Sequence, residues 1–81
     1  MMEIKVLGPG CPKCKTLEKL TREAVESSGV DATVIKVEEI LEIMKYGILS
    51  TPALVINEEV VVRGFVPTIK ELREIILKYN Q

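Results

Sequence analysis

The sequence contains no histidine and no tryptophan, and its 81 residues include only two cysteines and one phenylalanine. Without histidine, the chain lacks the commonest transition-metal ligand and the usual proton-transfer side chain near neutral pH. Eleven basic and twelve acidic residues give a formal net charge of −1. The lysines are dispersed, so we expect neither nucleic acid nor a membrane surface as a partner. No apolar run approaches the roughly 20 residues of a membrane-spanning helix.

The N-terminal residues also lack the apolar segment of a secretory signal peptide, because charged and apolar side chains alternate over residues 1–7. We therefore expect a cytoplasmic protein. The length predicts one domain that spans residues 1–81. Structural disulfides are rare in the cytoplasm, so a cysteine pair there is expected to be redox-active or to bind a metal.

Both cysteines lie in one short motif, Cys11-Pro12-Lys13-Cys14. An alternating segment, Met2 to Leu7, precedes the motif and predicts a β-strand. An amphipathic pattern follows it and predicts a helix that begins at Pro12, where the missing N–H of proline costs no hydrogen bond. The C-x-x-C spacing at the junction between a strand and a helix is more specific than the spacing alone.

The rest of the chain predicts five further elements in an α/β arrangement. These are a strand at residues 30–37, a short helix at 38–46, two hairpin strands at 53–56 and 60–63, and a final helix opened by a capping box at Thr68 and Glu71. The short helix is expected to direct Ile40, Ile43 and Met44 inward. The order β-α-β-α-β-β-α predicts that the first two strands run parallel through a right-handed crossover, with the hairpin extending the sheet.

The two thiols are predicted to differ in reactivity. Cys11 precedes the helix, where free backbone N–H groups, the helix dipole and the nearby Lys13 and Lys15 favour a thiolate. These effects should lower the pKa of Cys11 from about 8.5 towards the range of roughly 3.5–7.5. Cys14 lies on the apolar face and should stay protonated until it reacts. The pattern predicts Cys11 as nucleophile and Cys14 as the resolving thiol, which together form a disulfide on oxidation.

Metal binding is the main alternative function. A zinc site usually has four ligands and iron–sulfur clusters usually need four cysteines, whereas this chain offers two thiolates and no histidine. A soft ion such as Cu(I) accepts two thiolates, so a thiol-based metal carrier remains an alternative, as does a redox-sensing binding module. Such a carrier would resemble the small heavy-metal-associated domains, whose C-x-x-C motif also follows the first strand. Their element order is β-α-β-β-α-β, however, and the helix predicted at residues 38–46 argues against that fold.

Over essentially its whole length, the chain resembles the small glutaredoxin-like thioredoxins of archaea and bacteria. The resemblance rests on G-P-G-C-P-K-C at residues 8–14, on Thr51-Pro52 before the third strand, and on Gly64 after the fourth. It implies a thioredoxin fold with a four-stranded mixed sheet and three flanking helices. It further implies a monomeric dithiol–disulfide oxidoreductase without a bound cofactor or metal, which acts on protein disulfides and receives electrons from a flavin-dependent thioredoxin reductase.

The resemblance also assigns supporting residues. Pro52 is implied to be cis and to pack against the C-x-x-C motif, and the backbone of Thr51 to pair with an extended substrate chain. Gly64 and Phe65 are expected to border the substrate groove, although Phe65 could instead lie in the core. Pro12 and Lys13 would tune the thiolate or select partners.

The sequence departs from the related families at two places. Lys5 stands near the position where thioredoxins carry a buried aspartate that receives a proton from the resolving thiol. Only Gly64 remains of the Gly-Gly-Asp pattern with which glutaredoxins hold glutathione. We therefore expect a protein partner rather than specific glutathione binding.

Overall fold

The computed structural model describes residues 2–80 and contains seven helices and strands. They are β1 (Met2–Leu7), α1 (Pro12–Ser28), β2 (Ala32–Val37), α2 (Ile40–Met44), β3 (Ala53–Ile56), β4 (Glu59–Arg63) and α3 (Ile69–Tyr79). The strands form one sheet in the order β2-β1-β3-β4. β1 runs parallel to β2, and β3 runs antiparallel to both β1 and β4. The predicted α/β order and mixed sheet are confirmed. Within residues 2–80, no helix is long and apolar enough to cross a bilayer.

Helices cover both faces of the sheet because the strands alternate their buried side chains between two cores. On one face, Ile4 and Val6 of β1 pack with residues of α1 and α3. On the other face, Leu7 packs with Ile43 of α2. Every residue of β3 is buried, as expected for an inner strand that is covered on both sides. The parallel β1–β2 pair and the start of α1 therefore meet at one end of a rigid sheet.

Helix α1 begins where the sequence predicts. Cys11 is the N-cap residue with an extended backbone, and Pro12 follows in the first turn. Gly29 ends the helix with a φ of 68°, a left-handed conformation that favours glycine. The C-x-x-C motif therefore begins at the cap and continues through the first turn.

Helix α2 is shorter than predicted, at Ile40–Met44 instead of residues 38–46. The expectation that Ile40 and Met44 point inward was wrong, since they are 54% and 56% exposed. Only Ile43 is buried within the helix. A helix of five residues makes little more than one turn, so it can direct only one side chain towards the sheet.

The β3–β4 hairpin closes with a turn one residue shorter than the predicted loop. Asn57 and Glu58 have φ values of 49° and 68°, and Glu59 already belongs to β4. Turns with two such residues match the twist of the flanking strands. Asn57 is anchored to β1, because its backbone N–H donates to Glu3 O at 2.8 Å and its side-chain oxygen accepts from Glu3 N at 3.0 Å.

Glu58 is held by a three-residue network. Lys5 Nζ donates to Tyr46 OH at 2.7 Å and to Glu58 Oε1 at 2.9 Å, and Tyr46 OH donates to Glu58 Oε2 at 3.0 Å. The bonds to Tyr46 and Glu58 raise the pKa of Lys5. The bonds from Lys5 and Tyr46 lower the pKa of Glu58. The network joins β1 to the hairpin turn and to the segment after α2.

The network makes a pH-dependent contribution to the free energy of unfolding. The Glu58→Gln variant should remove this contribution while keeping the size of the side chain. Because the pKa of Glu58 lies below its ordinary value of 4.5 in the folded chain, the carboxylate stabilises the fold above that pH and loses this effect as the pH falls. We expect urea unfolding to show E58Q less stable than the parent near neutral pH, with a difference that shrinks towards about pH 3. Glu74→Gln, which removes an exposed charge from α3, is the control. A difference that does not change with pH would contradict the network's role.

Candidate active site

Cys11 and Cys14 are joined by a disulfide at the start of α1, with their Cα atoms 5.0 Å apart. Cys11 Sγ also accepts a hydrogen bond from the backbone N–H of Cys14 at 3.2 Å. The two residues differ in exposure: Cys11 is half-buried, whereas Cys14 is only 5% exposed. One side of the disulfide is therefore reachable from solvent, and the other is enclosed by the protein.

Gly8 lies directly against the buried half of the disulfide. A Cβ atom at this position would overlap Cys14 Sγ and would come within 2.9 Å of Cys14 Cβ. The backbone cannot easily move away, because Gly8 N donates to Val37 O of β2 at 2.9 Å. In the sequence, Gly8 was noted only as the first residue of the G-P-G-C-P-K-C motif, and its contact with Cys14 was missed. A glycine directly after a strand and three residues before the first cysteine was the available signal.

The segment Thr51-Pro52, directly before β3, comes close to Gly8. The Thr51–Pro52 peptide bond is cis, and Pro52 is fully buried. A Cβ at Gly8 would lie 3.9 Å from Thr51 Cβ. The loop before β3 therefore lies close to the end of β1, next to the glycine that contacts Cys14.

Gly64 connects the end of β4 to this loop. Its N–H donates to Pro52 O at 2.8 Å, and its φ of 77° favours glycine. A Cβ at Gly64 would lie 3.1 Å from Ser50 Cβ, so the backbone approach is also close. The next residue, Phe65, is 53% exposed and is therefore not part of the core. On the other side of the disulfide, Pro12 and Lys13 are both exposed.

Lys5 does not replace the expected buried acid. Its ammonium group is engaged with Tyr46 and Glu58, and these contacts raise its pKa. A protonated amine has no lone pair to accept a proton from a thiol. Among residues 2–80, no group of three or more His, Cys, Asp and Glu side chains is arranged to hold a metal ion.

Residues 2–77 match the family model described as a thioredoxin domain. This chain belongs to the thioredoxin family. It is 37% identical over 76 residues to the thioredoxin of Methanothermobacter thermautotrophicus, an alignment that covers 94% of this chain and 99% of that protein. It is 33% identical over 79 residues to the thioredoxin of Methanocaldococcus jannaschii, with 98% and 91% covered.

The fold is also that of a solved thioredoxin. The structure of thioredoxin-2 from a malaria parasite superposes with a TM-score of 0.73 at 14% identity, covering 96% of this chain and 82% of that one. As a member of the thioredoxin family, the protein is a thiol–disulfide oxidoreductase, and Cys11–Cys14 is its redox-active disulfide. In general terms, its substrates are protein disulfides and its partner is a reductase.

The contact at Gly8 predicts a specific effect of the Gly8→Ala variant. The added methyl group must displace the Cys14 sulfur or the backbone, so we expect the oxidised protein to lose about 1–3 kcal/mol of its free energy of unfolding. We also expect faster reduction of the disulfide by dithiothreitol, because a displaced Cys14 sulfur would be less well enclosed by the protein. Both are measurable, by urea unfolding and by the rate of thiol release.

Gly29→Ala is the matched control for this variant. Gly29 has a φ of 68°, and a Cβ there would have no neighbour within 4 Å. Alanine should therefore cost stability through backbone strain, of about 1 kcal/mol, without changing the rate of disulfide reduction. If G8A reduces at the parent rate, or if G29A accelerates reduction equally, Gly8 has no special relation to the disulfide.

Proposed function

We propose that Cys11 is the attacking nucleophile of this oxidoreductase and that Cys14 resolves the mixed disulfide. The observation that carries the proposal is the difference in exposure across one disulfide: Cys11 is half-buried at the helix cap, and Cys14 is 5% exposed. A substrate disulfide can approach the first sulfur but not the second. The buried sulfur is instead placed to attack its neighbour.

The start of helix α1 supports a thiolate at Cys11. The Cys14 N–H that donates to Cys11 Sγ in the disulfide is positioned to donate to the thiolate after reduction. The first turn contains no acidic residue, and Lys13 lies within it. Hydrogen bonding and the helix dipole both favour the charged form, so the pKa of the reduced Cys11 thiol should lie below its ordinary value.

The reaction transfers two electrons from the dithiol to the substrate. The Cys11 thiolate attacks one sulfur of the substrate disulfide, forms a new S–S bond and releases the other substrate sulfur as a thiolate. Cys14 then loses its proton and attacks Cys11 Sγ, which closes the Cys11–Cys14 disulfide and releases the second substrate thiolate. Each released thiolate takes a proton, so two protons and two electrons reach the substrate.

The loops around the disulfide supply the substrate groove in this proposal. Thr51 presents its backbone to an extended substrate chain, beside the buried Pro52. Gly64 allows the chain to pass close to the protein backbone, and the exposed ring of Phe65 offers apolar contact. Lys13 and Pro12 contact the partner from the helix side and help to select it.

Within this proposal, a flavin-dependent reductase returns electrons to the disulfide, and the protein works as a monomeric single domain in the cytoplasm. Gly64 is a single glycine and is followed by the exposed Phe65, so this segment lacks the acidic residue that would bind the amino group of glutathione. We therefore assign protein disulfides, rather than glutathione adducts, as the substrates.

The roles of the two cysteines can be separated by trapping with insulin as a disulfide-bonded substrate. In the Cys14→Ser variant, the mixed disulfide on Cys11 cannot be resolved, so we expect a covalent complex on a non-reducing gel. The Cys11→Ser variant should form no complex, because its remaining thiol is enclosed. The two variants carry the same chemical change and serve as controls for each other. Equal trapping by both would refute the assigned roles.

A further inference from the structure

The carboxylate of Glu38 lies beside the nucleophilic end of the site without belonging to the C-x-x-C motif. Its Oε2 atom would be 3.1 Å from a Cβ placed on Gly10, the residue immediately before Cys11. Gly10 has a φ of 94°. This conformation favours glycine, so no side chain separates the carboxylate from the backbone that leads into the motif.

The position of Glu38 is determined by the sheet. Leu7 of β1 is paired with Val37 of β2, and Gly8 N donates to Val37 O at 2.9 Å. Glu38 follows Val37 directly, so its side chain arises next to the loop that joins β1 to α1. The sequence predicts a helix over residues 38–46, in which Glu38 would be the first residue. In the structure that helix begins at Ile40, and its N-cap is Glu39.

The basic residues next to Cys11 in the chain are Lys13 and Lys15 of α1, and both are exposed. A further basic residue, Lys36 of β2, is paired with Glu38. The Lys36 Nζ atom lies 3.8 Å from Glu38 Oε2, and both side chains are about half exposed. An ion pair this open is screened by water and compensates the carboxylate only in part. Glu38 therefore adds negative charge next to Gly10, the residue before the positive helix start.

We propose that Glu38 tunes the redox pair, holding negative charge beside Cys11 so that the reduced protein gives up its electrons more readily than the helix start alone would allow. A carboxylate near a thiolate disfavours the charged form of the thiol. The disulfide carries no charge and is little affected. The dithiol is thus destabilised relative to the disulfide, which favours reduction of the substrate. The inference rests on the proposed role of Cys11 as nucleophile.

The Glu38→Gln variant tests this in the full chain by two measurements. The first is the pH dependence of iodoacetamide alkylation of Cys11, from which we expect a thiol pKa about 0.5–1 unit lower than in the parent. The second is direct electron exchange, in which reduced parent protein is mixed with oxidised E38Q. We expect oxidised parent and reduced E38Q to predominate, with an equilibrium constant of about 3–10. The two proteins differ in charge, so ion exchange separates them after alkylation.

Two matched variants control for the loss of charge as such. Glu39→Gln removes the neighbouring carboxylate, whose side chain makes no capping hydrogen bond, and Glu23→Gln removes an exposed carboxylate far along α1. For both variants, the equilibrium constant for electron exchange with the parent should be close to one. The conservative Glu38→Asp variant should fall between E38Q and the parent. In about 1 M salt the effect of E38Q should shrink, because the screening length falls to about 3 Å.

The outcomes separate this inference from the proposed function. If the parent shows a lowered Cys11 pKa but E38Q matches it, or if E39Q and E23Q shift it equally, the role of Glu38 is overturned and the cysteine roles stand. An E38Q effect that persists unchanged in high salt also overturns it, because the cause is then structural. If the parent itself shows an ordinary Cys11 pKa and no reversible dithiol couple, the proposed function fails.

Discussion

The active site depends on one steric constraint, namely that residue 8 has no side chain. The sulfur of Cys14 occupies the space that a Cβ at Gly8 would fill. The hydrogen bond from Gly8 N to Val37 O fixes the end of β1 against β2. Thr51, which lies shortly before β3, is close to Gly8 as well. The start of α1 can therefore approach the sheet closely enough to bury one sulfur while the other remains accessible. The unequal exposure of the two cysteines follows from this packing, and it supports the unequal roles proposed for them.

The electrostatics of the site follow from where α1 begins. With Cys11 as the N-cap, its sulfur accepts a hydrogen bond from the backbone N–H of Cys14 in the first turn, and Lys13 adds positive charge. The acid that thioredoxins use to receive the second proton has no counterpart at Lys5, which is occupied by Tyr46 and Glu58. A negative charge lies instead next to Gly10, at Glu38. In the proposed tuning, the balance between the helix start and this carboxylate determines how readily the dithiol gives up its electrons.

The sequence was sufficient for the fold and for the motif, but not for the contacts around it. The alternation in residues 2–7 and Pro12 after the first cysteine are local signals, and each was interpreted correctly. The contact of Gly8 with Cys14 and the position of Glu38 next to Gly10 were not predicted, because both depend on atoms that only the folded sheet brings together. The inward orientation predicted for Ile40 and Met44 was wrong because periodicity does not show that a helix will stop after five residues. Glu58 adopts a left-handed conformation that its residue type does not favour, and contacts with Lys5 and Tyr46 hold it there.

Cys11 and Cys14 are expected to form one reversible two-electron couple with a stabilised thiolate. The most direct test is to equilibrate the purified protein with defined ratios of reduced and oxidised glutathione and to count the free thiols after acid quenching. The account predicts that both thiols appear together, with a potential between about −270 and −200 mV. Thiols that titrate separately as two glutathione adducts, or that stay in one state throughout this range, would contradict it.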